Sequence, residues 1–369
     1  MISKRAQGMD SSGIRKVFDL AADLENPINL SIGLPDFDVP DAAKAAMKRA
    51  VDAGHNRYTQ SGGLPELRDA VRRRCRERHG FQPGDVMITA GTSGGLTLAL
   101  LATVDPGDEV LVPDPFFVSY RQLVLAAGGK PVFYGTYPDF RLSVSEIEKV
   151  ATERSKVLVL NSPSNPTGVT FTEAEVRAAC EFAKERGLVI LSDEVYGPFS
   201  YGPPPASAAR FHENTITVNG WSKSHAMTGW RVGWAAGPRD MLNEMIKLQQ
   251  FTFVCAPAPA QHAALATVDL DTTEVRKTYA AKRDLACGIL EEAFELVRPD
   301  GAFYVFPRAP EGASATDFVK RAIEHNVLVI PGGVFSTCDT HFRLSFAAPD
   351  DAIREGCAVL VRLAREAKG

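Results

Sequence analysis

The chain has little that would mark it as secreted, metal-binding, membrane-spanning or nucleic-acid-binding. Six cysteines are spread over 369 residues, at 75, 180, 255, 287, 338 and 357. No two stand as C-x-x-C, so neither a disulfide framework nor a thiolate metal site is indicated, and reduced, mostly buried thiols of a cytoplasmic protein are expected. The seven histidines (55, 79, 212, 225, 262, 325, 341) show no ligand spacing, and no metal is expected. Positive charge is not in surplus: 41 Lys and Arg against 45 Asp and Glu leave a net charge of −4. A dedicated nucleic-acid binder needs the opposite balance. The longest apolar stretches, such as residues 96–104, are far short of a bilayer span, and the first residues hold no apolar signal core. No G-x-S-x-G follows a strand pattern, which argues against a serine hydrolase. No repeat or low-complexity tract appears.

What is present is a globular composition, 45% hydrophobic and 23% charged, in a length that suits two domains or one large and one small. Residues 41–54 and 65–80 read as helices, the first capped by Asp41 and the second opened by Pro65. VMITA (86–90), EVLVP (109–113), VLVL (157–160), LVILSDE (188–194) and TITVN (215–219) are short, β-branched and apolar on both faces, as strands inside a parallel sheet are. Helical patterns such as 172–187 separate several of them. This predicts an α/β body with a mainly parallel sheet covered by helices. After about residue 255 a long helix (274–294), three strand-like segments (GAFYVF, VLVIPG, HFRLSFA) and a terminal helix predict a smaller α+β body.

Chemistry-bearing residues gather just beyond the strands, where open α/β sheets bind ligands. Gly91, Thr92 and Ser93 lead into an apolar helix, whose free N–H groups and dipole suit an anion; an ordinary tight turn has the same look. Asn165 lies in the stiff loop NSPSNPTG. Asp193 ends an apolar strand and requires a cationic partner or a surface position. Ser222 and Lys223 follow another strand, and a lysine closed in a pocket has the lowered pKa that Schiff-base chemistry requires. The apolar neighbours of Arg231 favour a buried arginine holding an anion. Arg343, inside the alternating HFRLSFA, is either a bidentate carboxylate clamp or an exposed strand residue.

Taken singly these signals are weak. Together the segments SSGIRKVFDL, LSIGLPDFDVP, RYTQSGGLPELR, TAGTSGGL, DPFFVSY, NSPSNPTG, SDEVY, SKSHAMTGWRVG, GAFYVFP and FRLSFA, in this order and spacing, resemble the class I/II aminotransferases, fold-type-I enzymes that use pyridoxal 5′-phosphate. The resemblance spans nearly the whole chain. It implies a seven-stranded, mainly parallel large domain at 33–270, a small domain at 271–369, and an arm at 1–32 joining the small domain. It implies that Lys223 is the Schiff-base lysine, that Asp193 keeps the pyridine nitrogen protonated, and that Tyr196 and Asn165 donate to the ring's phenolate oxygen. Phe117 would stack on the ring, and Gly91, Thr92, Ser93, Ser222 and Arg231 would hold the phosphate. Arg343, with Asn165 and the backbone of Gly33, would grip the substrate α-carboxylate. Tyr58 would reach the phosphate of a neighbouring subunit, making the enzyme a homodimer with sites at the interface. Departures stand at Trp221, His225, Gly220 (serine in some members) and Phe117, none of which removes a required group.

The implied activity is ping-pong transfer of an amino group between an L-amino acid and a 2-oxo acid. A β-eliminating or C–S lyase on the same scaffold is the alternative, and a PLP-sensing regulator ranks last because no DNA-binding extension is evident. Ile14 and Phe18 suggest an apolar wall that leans toward neutral or aromatic substrates, with aspartate open.

Overall fold

The computed structural model describes residues 1–10, 13 and 24–367; Ile14 and Phe18 lie outside them. Seven strands form the main sheet: β2 (Asp85–Thr89), β3 (Glu109–Asp114), β4 (Lys130–Gly135), β5 (Ser155–Asn161), β6 (Val189–Asp193), β7 (Thr215–Gly220) and β8 (Gly233–Gly237). Their order is β2-β8-β7-β6-β5-β3-β4, and β8 alone runs against its neighbours.

The period-2 geometry of a strand explains why these segments are apolar throughout. Val157 and Val159 of β5 enter one core with Val110, Val112, Val189 and Leu191. Leu158 and Leu160 point the other way into a second core with Leu111 and Ile190. The helix Gly91–Thr103 covers the first face, contributing Leu96, Leu98 and Leu100. The helix Glu173–Glu185 covers the second, contributing Val176, Ala179 and Phe182. Its start is set by a capping box in which Thr172 accepts from the Glu175 N–H and Glu175 accepts from the Thr172 N–H.

Two helix ends differ from expectation. Asp41 is the first helical residue of Asp41–Asp52 rather than its cap, a position Pro40 takes. The helix opened by Pro65 is regular to Arg74, then widens to a π-turn over Cys75–His79 and stops at Gly80, whose φ of 72° suits glycine.

The second body packs the helices Thr273–Leu290, Ala315–Glu324 and Asp350–Glu366 around a three-stranded antiparallel sheet. That sheet contains β9 (Tyr304–Val305), β11 (Ile330–Pro331) and β12 (Phe342–Ser345), with β12 central. A parallel pair joins β1 (Ile28–Asn29) to β10 (Val327–Leu328), which ties residues 28–30 to this body. Residues near the start touch the sheet body instead: the Asp10 N–H donates to Gln122 and its carboxylate pairs with Arg121.

The antiparallel setting of β8 positions the site. A crossover to a parallel strand would carry the chain to the far end of the sheet. Here the connection 221–232 leaves and returns at the same edge, so Lys223, Thr228 and Arg231 stay beside the carboxyl ends of β2, β3, β5, β6 and β7.

Candidate active site

At that edge lies a cavity of about 440 Å³ between the two bodies. Its lining includes Ser93, Thr92, Phe117, Asn165, Asp193, Tyr196, Ser222, Lys223, Arg231 and Arg343 from the residues anticipated above, and Gly33 from the segment after β1. Gly91 is adjacent through Arg231. Tyr58 is not part of the lining; it is 81% exposed on the surface of the chain.

Asp193 ends β6 and is buried. Its carboxylate accepts from the Tyr120 hydroxyl at 2.8 Å and from the Val195 N–H at 3.2 Å. Among the described residues no lysine or arginine forms an ion pair with it. Burial pushes its pKa up to about 6 against those two bonds. Lys223 donates from Nζ to the Gly33 carbonyl at 2.7 Å. Burial, helped by the charges of Arg343 and Arg231, lowers its pKa to about 8. An ammonium kept this close to neutrality is a usable amine nucleophile and base.

Arg343, central in β12, is 2% exposed, which removes the exposed-strand alternative. Its guanidinium lies between the rings of Tyr304 and Phe335, with Cζ 4.6 and 4.5 Å from their centroids. Nη1 donates to Asn165 Oδ1 at 3.0 Å and Nη2 to the Ser31 carbonyl at 2.6 Å, while Nε has no partner. No carboxylate of the described residues pairs with it. Leaving such a cation desolvated and unpaired is costly, and a planar carboxylate matches its remaining donors. Asn165 is itself held by its N–H donating to Asn161 Oδ1 at 2.9 Å, and accepting from Arg343 fixes which way its amide faces.

The opposite end of the cavity is made of backbone and small residues. Gly91, Thr92 and Ser93 begin the helix Gly91–Thr103, so their N–H groups are free of intrahelical bonds. Gly233 permits the approach: a Cβ there would stand 2.7–2.8 Å from Gly91 C and Thr92 N. Gly220 is explained in the same way. A Cβ at 220 would lie 2.9 Å from Gly233 Cα and 3.3 Å from Thr92 Oγ1, and that hydroxyl is buried with no partner. Thr92 thus presents a hydroxyl where a serine at 220 would crowd the strand.

Arg231 corrects an expectation. It is exposed rather than buried, although Val232 beside it is buried. Its φ of 53° is left-handed and turns the side chain away from the direction of its neighbours. The guanidinium donates from Nη1 to the Thr228 carbonyl and lies over Gly91, where a Cβ would meet it at 2.4 Å.

The other departures are structural. Trp221 packs with Met227, Val232 and Trp234 in a core below the loop. His225 is buried, donating from Nε2 to the Thr267 carbonyl and accepting at Nδ1 from the Ser224 hydroxyl, and burial lowers its pKa to about 4.

Several lining residues escaped the sequence reading. Tyr120 follows Phe117 by three positions, the spacing of one helix face, and that is the signal that finds it. Asn161 ends β5 beside Asp193 in register. Tyr304 sits in a two-residue strand far along the chain, without local signal.

The family model for aminotransferase class I and II matches residues 25–360. The chain belongs to this family. It is 35% identical to a probable aspartate aminotransferase of Methanocaldococcus jannaschii, over 98% of this chain and 99% of the relative. It is 37% identical to aromatic-amino-acid aminotransferase 2 of Thermococcus litoralis, over 100% and 99%. The aspartate aminotransferase of Thermus thermophilus, solved with maleate, superposes with a TM-score of 0.95 at 33% identity, covering 98% of this chain and 99% of that one. The resemblance read from the motifs and the α/β fold are thus borne out, and the chain is a transferase of the family of PLP-dependent transaminases. Among the described residues of this aminotransferase, no helix is long and apolar enough to cross a membrane.

Proposed function

We propose that this aminotransferase binds pyridoxal 5′-phosphate in the cavity and moves an amino group between an L-amino acid and a 2-oxo acid. One observation carries the reading: a fully buried arginine with an unpaired Nε and no acidic partner shares a cavity with a low-pKa lysine and a buried carboxyl that has no cation. Each fits a different part of that chemistry. The unpartnered Thr92 hydroxyl and the free N–H groups of residues 91–93, with Ser222 and Arg231, fit a phosphate. Asp193 fits a protonated ring nitrogen, which would bring its pKa down from about 6. Tyr196 and Asn165 fit the ring's phenolic oxygen, and Phe117 fits one ring face.

When bound, the cofactor supplies a carbonyl that condenses with primary amines and a ring that delocalises the electrons left at the substrate Cα. Lys223 supplies the amine that holds the cofactor and, once released, moves the proton taken from Cα. Arg343 and Asn165 orient the α-carboxylate, with the backbone at Gly33 beside them.

In the same reading Tyr58 serves the phosphate of a second copy, so the working form is a homodimer. The exposed Arg231 and Ser93, and the exposed Phe253 packed near Gly94, support a partner at this end. The chain divides into an arm (1–32), a large domain (33–270) and a small domain (271–369), and six unpaired cysteines suit the cytoplasm. Relatives are named for aspartate and for aromatic substrates; neutral or aromatic amino acids are the proposed preference here.

The test is a single half-reaction. The loaded enzyme mixed with one amino acid at a time should release one equivalent of 2-oxo acid per site and keep the amino group on the cofactor. Release of ammonia with the cofactor unchanged would identify a lyase instead.

A further inference from the structure

Tyr304 is fixed in the cavity more tightly than any role assigned so far requires. It lies on β9, paired with Ser345 of β12 and so close to Arg343 on the same sheet. Its side chain is buried. Its hydroxyl lies 2.8 Å from the Tyr196 hydroxyl, and the two rings meet edge to face at 80°. Its ring is one of the two that sandwich the Arg343 guanidinium. Its oxygen also presses on residue 33, where a Cβ would come within 2.2 Å. Glycine at 33 is therefore what allows the Tyr304 hydroxyl to reach Tyr196.

We propose that Tyr304 is a positioning residue that acts through Tyr196, donating its proton to the Tyr196 oxygen so that Tyr196 donates its own to the cofactor's phenolic oxygen. The inference rests on the cofactor reading above. The number of phenol protons sets the direction of this bond. A phenol has a single proton, so Tyr196 cannot donate to Tyr304 and to a ligand together. With a ligand oxygen accepting from Tyr196, the 2.8 Å bond must run from Tyr304 to Tyr196. A hydroxyl that accepts a hydrogen bond becomes a stronger donor in turn. The guanidinium over the Tyr304 ring draws on its electrons and strengthens the first donation. The two phenols thus form a short relay from the carboxylate clamp to the cofactor ring.

The experiment uses the loaded enzyme and reads the pH midpoint of the cofactor's visible absorbance. Tyr304→Phe keeps the ring and its stacking and removes one proton. A weaker bond leaves the phenolic anion less stabilised, so the cofactor keeps its proton to higher pH. The midpoint should rise by roughly half a pH unit. Tyr196→Phe should raise it further, and Tyr304→Phe placed on Tyr196→Phe should add nothing. Gly33→Ala, which displaces the hydroxyl without deleting it, should shift the midpoint in the same direction and decides the matter if Tyr304→Phe does not fold. An unmoved midpoint in both Tyr304→Phe and Gly33→Ala, with Tyr196→Phe shifted, overturns the relay and leaves the cofactor reading intact. An equal rise from Tyr304→Phe with and without Tyr196 also overturns it. No shift in Tyr196→Phe itself overturns the parent reading and the relay together.

Discussion

In the proposed reading, the two ends of the cavity hold their anions in opposite ways. At the carboxylate end one guanidinium is stripped of water, clamped between two rings and aimed by Asn165 and the Ser31 carbonyl. At the other end the donors are backbone N–H groups, the Thr92 hydroxyl and an arginine left in solvent. A desolvated, preorganised charge is strong and geometrically demanding, whereas an exposed one is screened and tolerant. Among the described residues the first end draws all its groups from buried positions, whereas the second opens to solvent at Ser93 and Arg231, where the proposed second copy would contribute.

Substitution at the residue between the ends should have the largest effect. Lys223→Ala should abolish the adduct that borohydride fixes between cofactor and chain, along with turnover. Lys223→Arg should be equally inactive, because a guanidinium does not act as a base near neutral pH. Mass spectrometry of the reduced protein checks this, and an adduct persisting in Lys223→Ala would dissolve the division into two ends around it.

Arg343→Lys comes next. The charge stays, but the planar fork is lost, and the transition-state stabilisation that kcat/KM reports should fall by about 2–4 kcal/mol for all amino acids. Cofactor affinity should hardly move. A matched loss of cofactor would mean that the ends are not independent.

Asp193→Asn sharpens the comparison from the ring's side. In the cofactor-free fold the carboxyl keeps its proton up to about pH 6, while the unfolded chain loses it near 3.8. The fold binds more protons over that interval, so its stability falls as pH rises from about 4 to about 6 and the penalty is complete above. The interval corresponds to roughly 3 kcal/mol as an upper value. Urea unfolding at pH 8 should find the cofactor-free Asn variant more stable, while it retains pyridoxal phosphate less well. Equal stability at pH 5 and pH 8 in the wild type would count against a strained carboxyl.

The smallest effect is expected at the open end. Tyr58→Phe should weaken cofactor retention by about 2 kcal/mol, the worth of one hydrogen bond to a charged group. Sedimentation should show a dimer at assay concentration, and an active monomer would remove Tyr58 from the site.

Much of this arrangement was legible in the sequence, for identifiable reasons. Strands with both faces covered must be apolar throughout, so β3, β5, β6 and β7 are legible in the sequence, and at β6 the carboxylate that ends the run, Asp193, also lines the site. Lys223, three residues beyond the end of β7, is legible only through the ordered set of motifs. Arg231 was misjudged because apolar neighbours predict burial only when the backbone continues in the same sense, and a left-handed residue breaks that inference. Tyr304 was missed because its role is set by partners at 33, 196 and 343, which no local pattern brings together.

Residues 28–36 have a bearing on any attempt to split the enzyme into fragments. Within nine positions this stretch pairs with β10 through Ile28 and Leu30, accepts from Arg343 at Ser31, accepts from Lys223 at Gly33, and meets Tyr279 and Lys282 at Asp36. It works as a basting stitch through both halves. A complementing fragment that began after residue 36 would arrive without the backbone acceptors of Lys223 and Arg343, however well its own sheet folded, so a productive cut has to fall elsewhere.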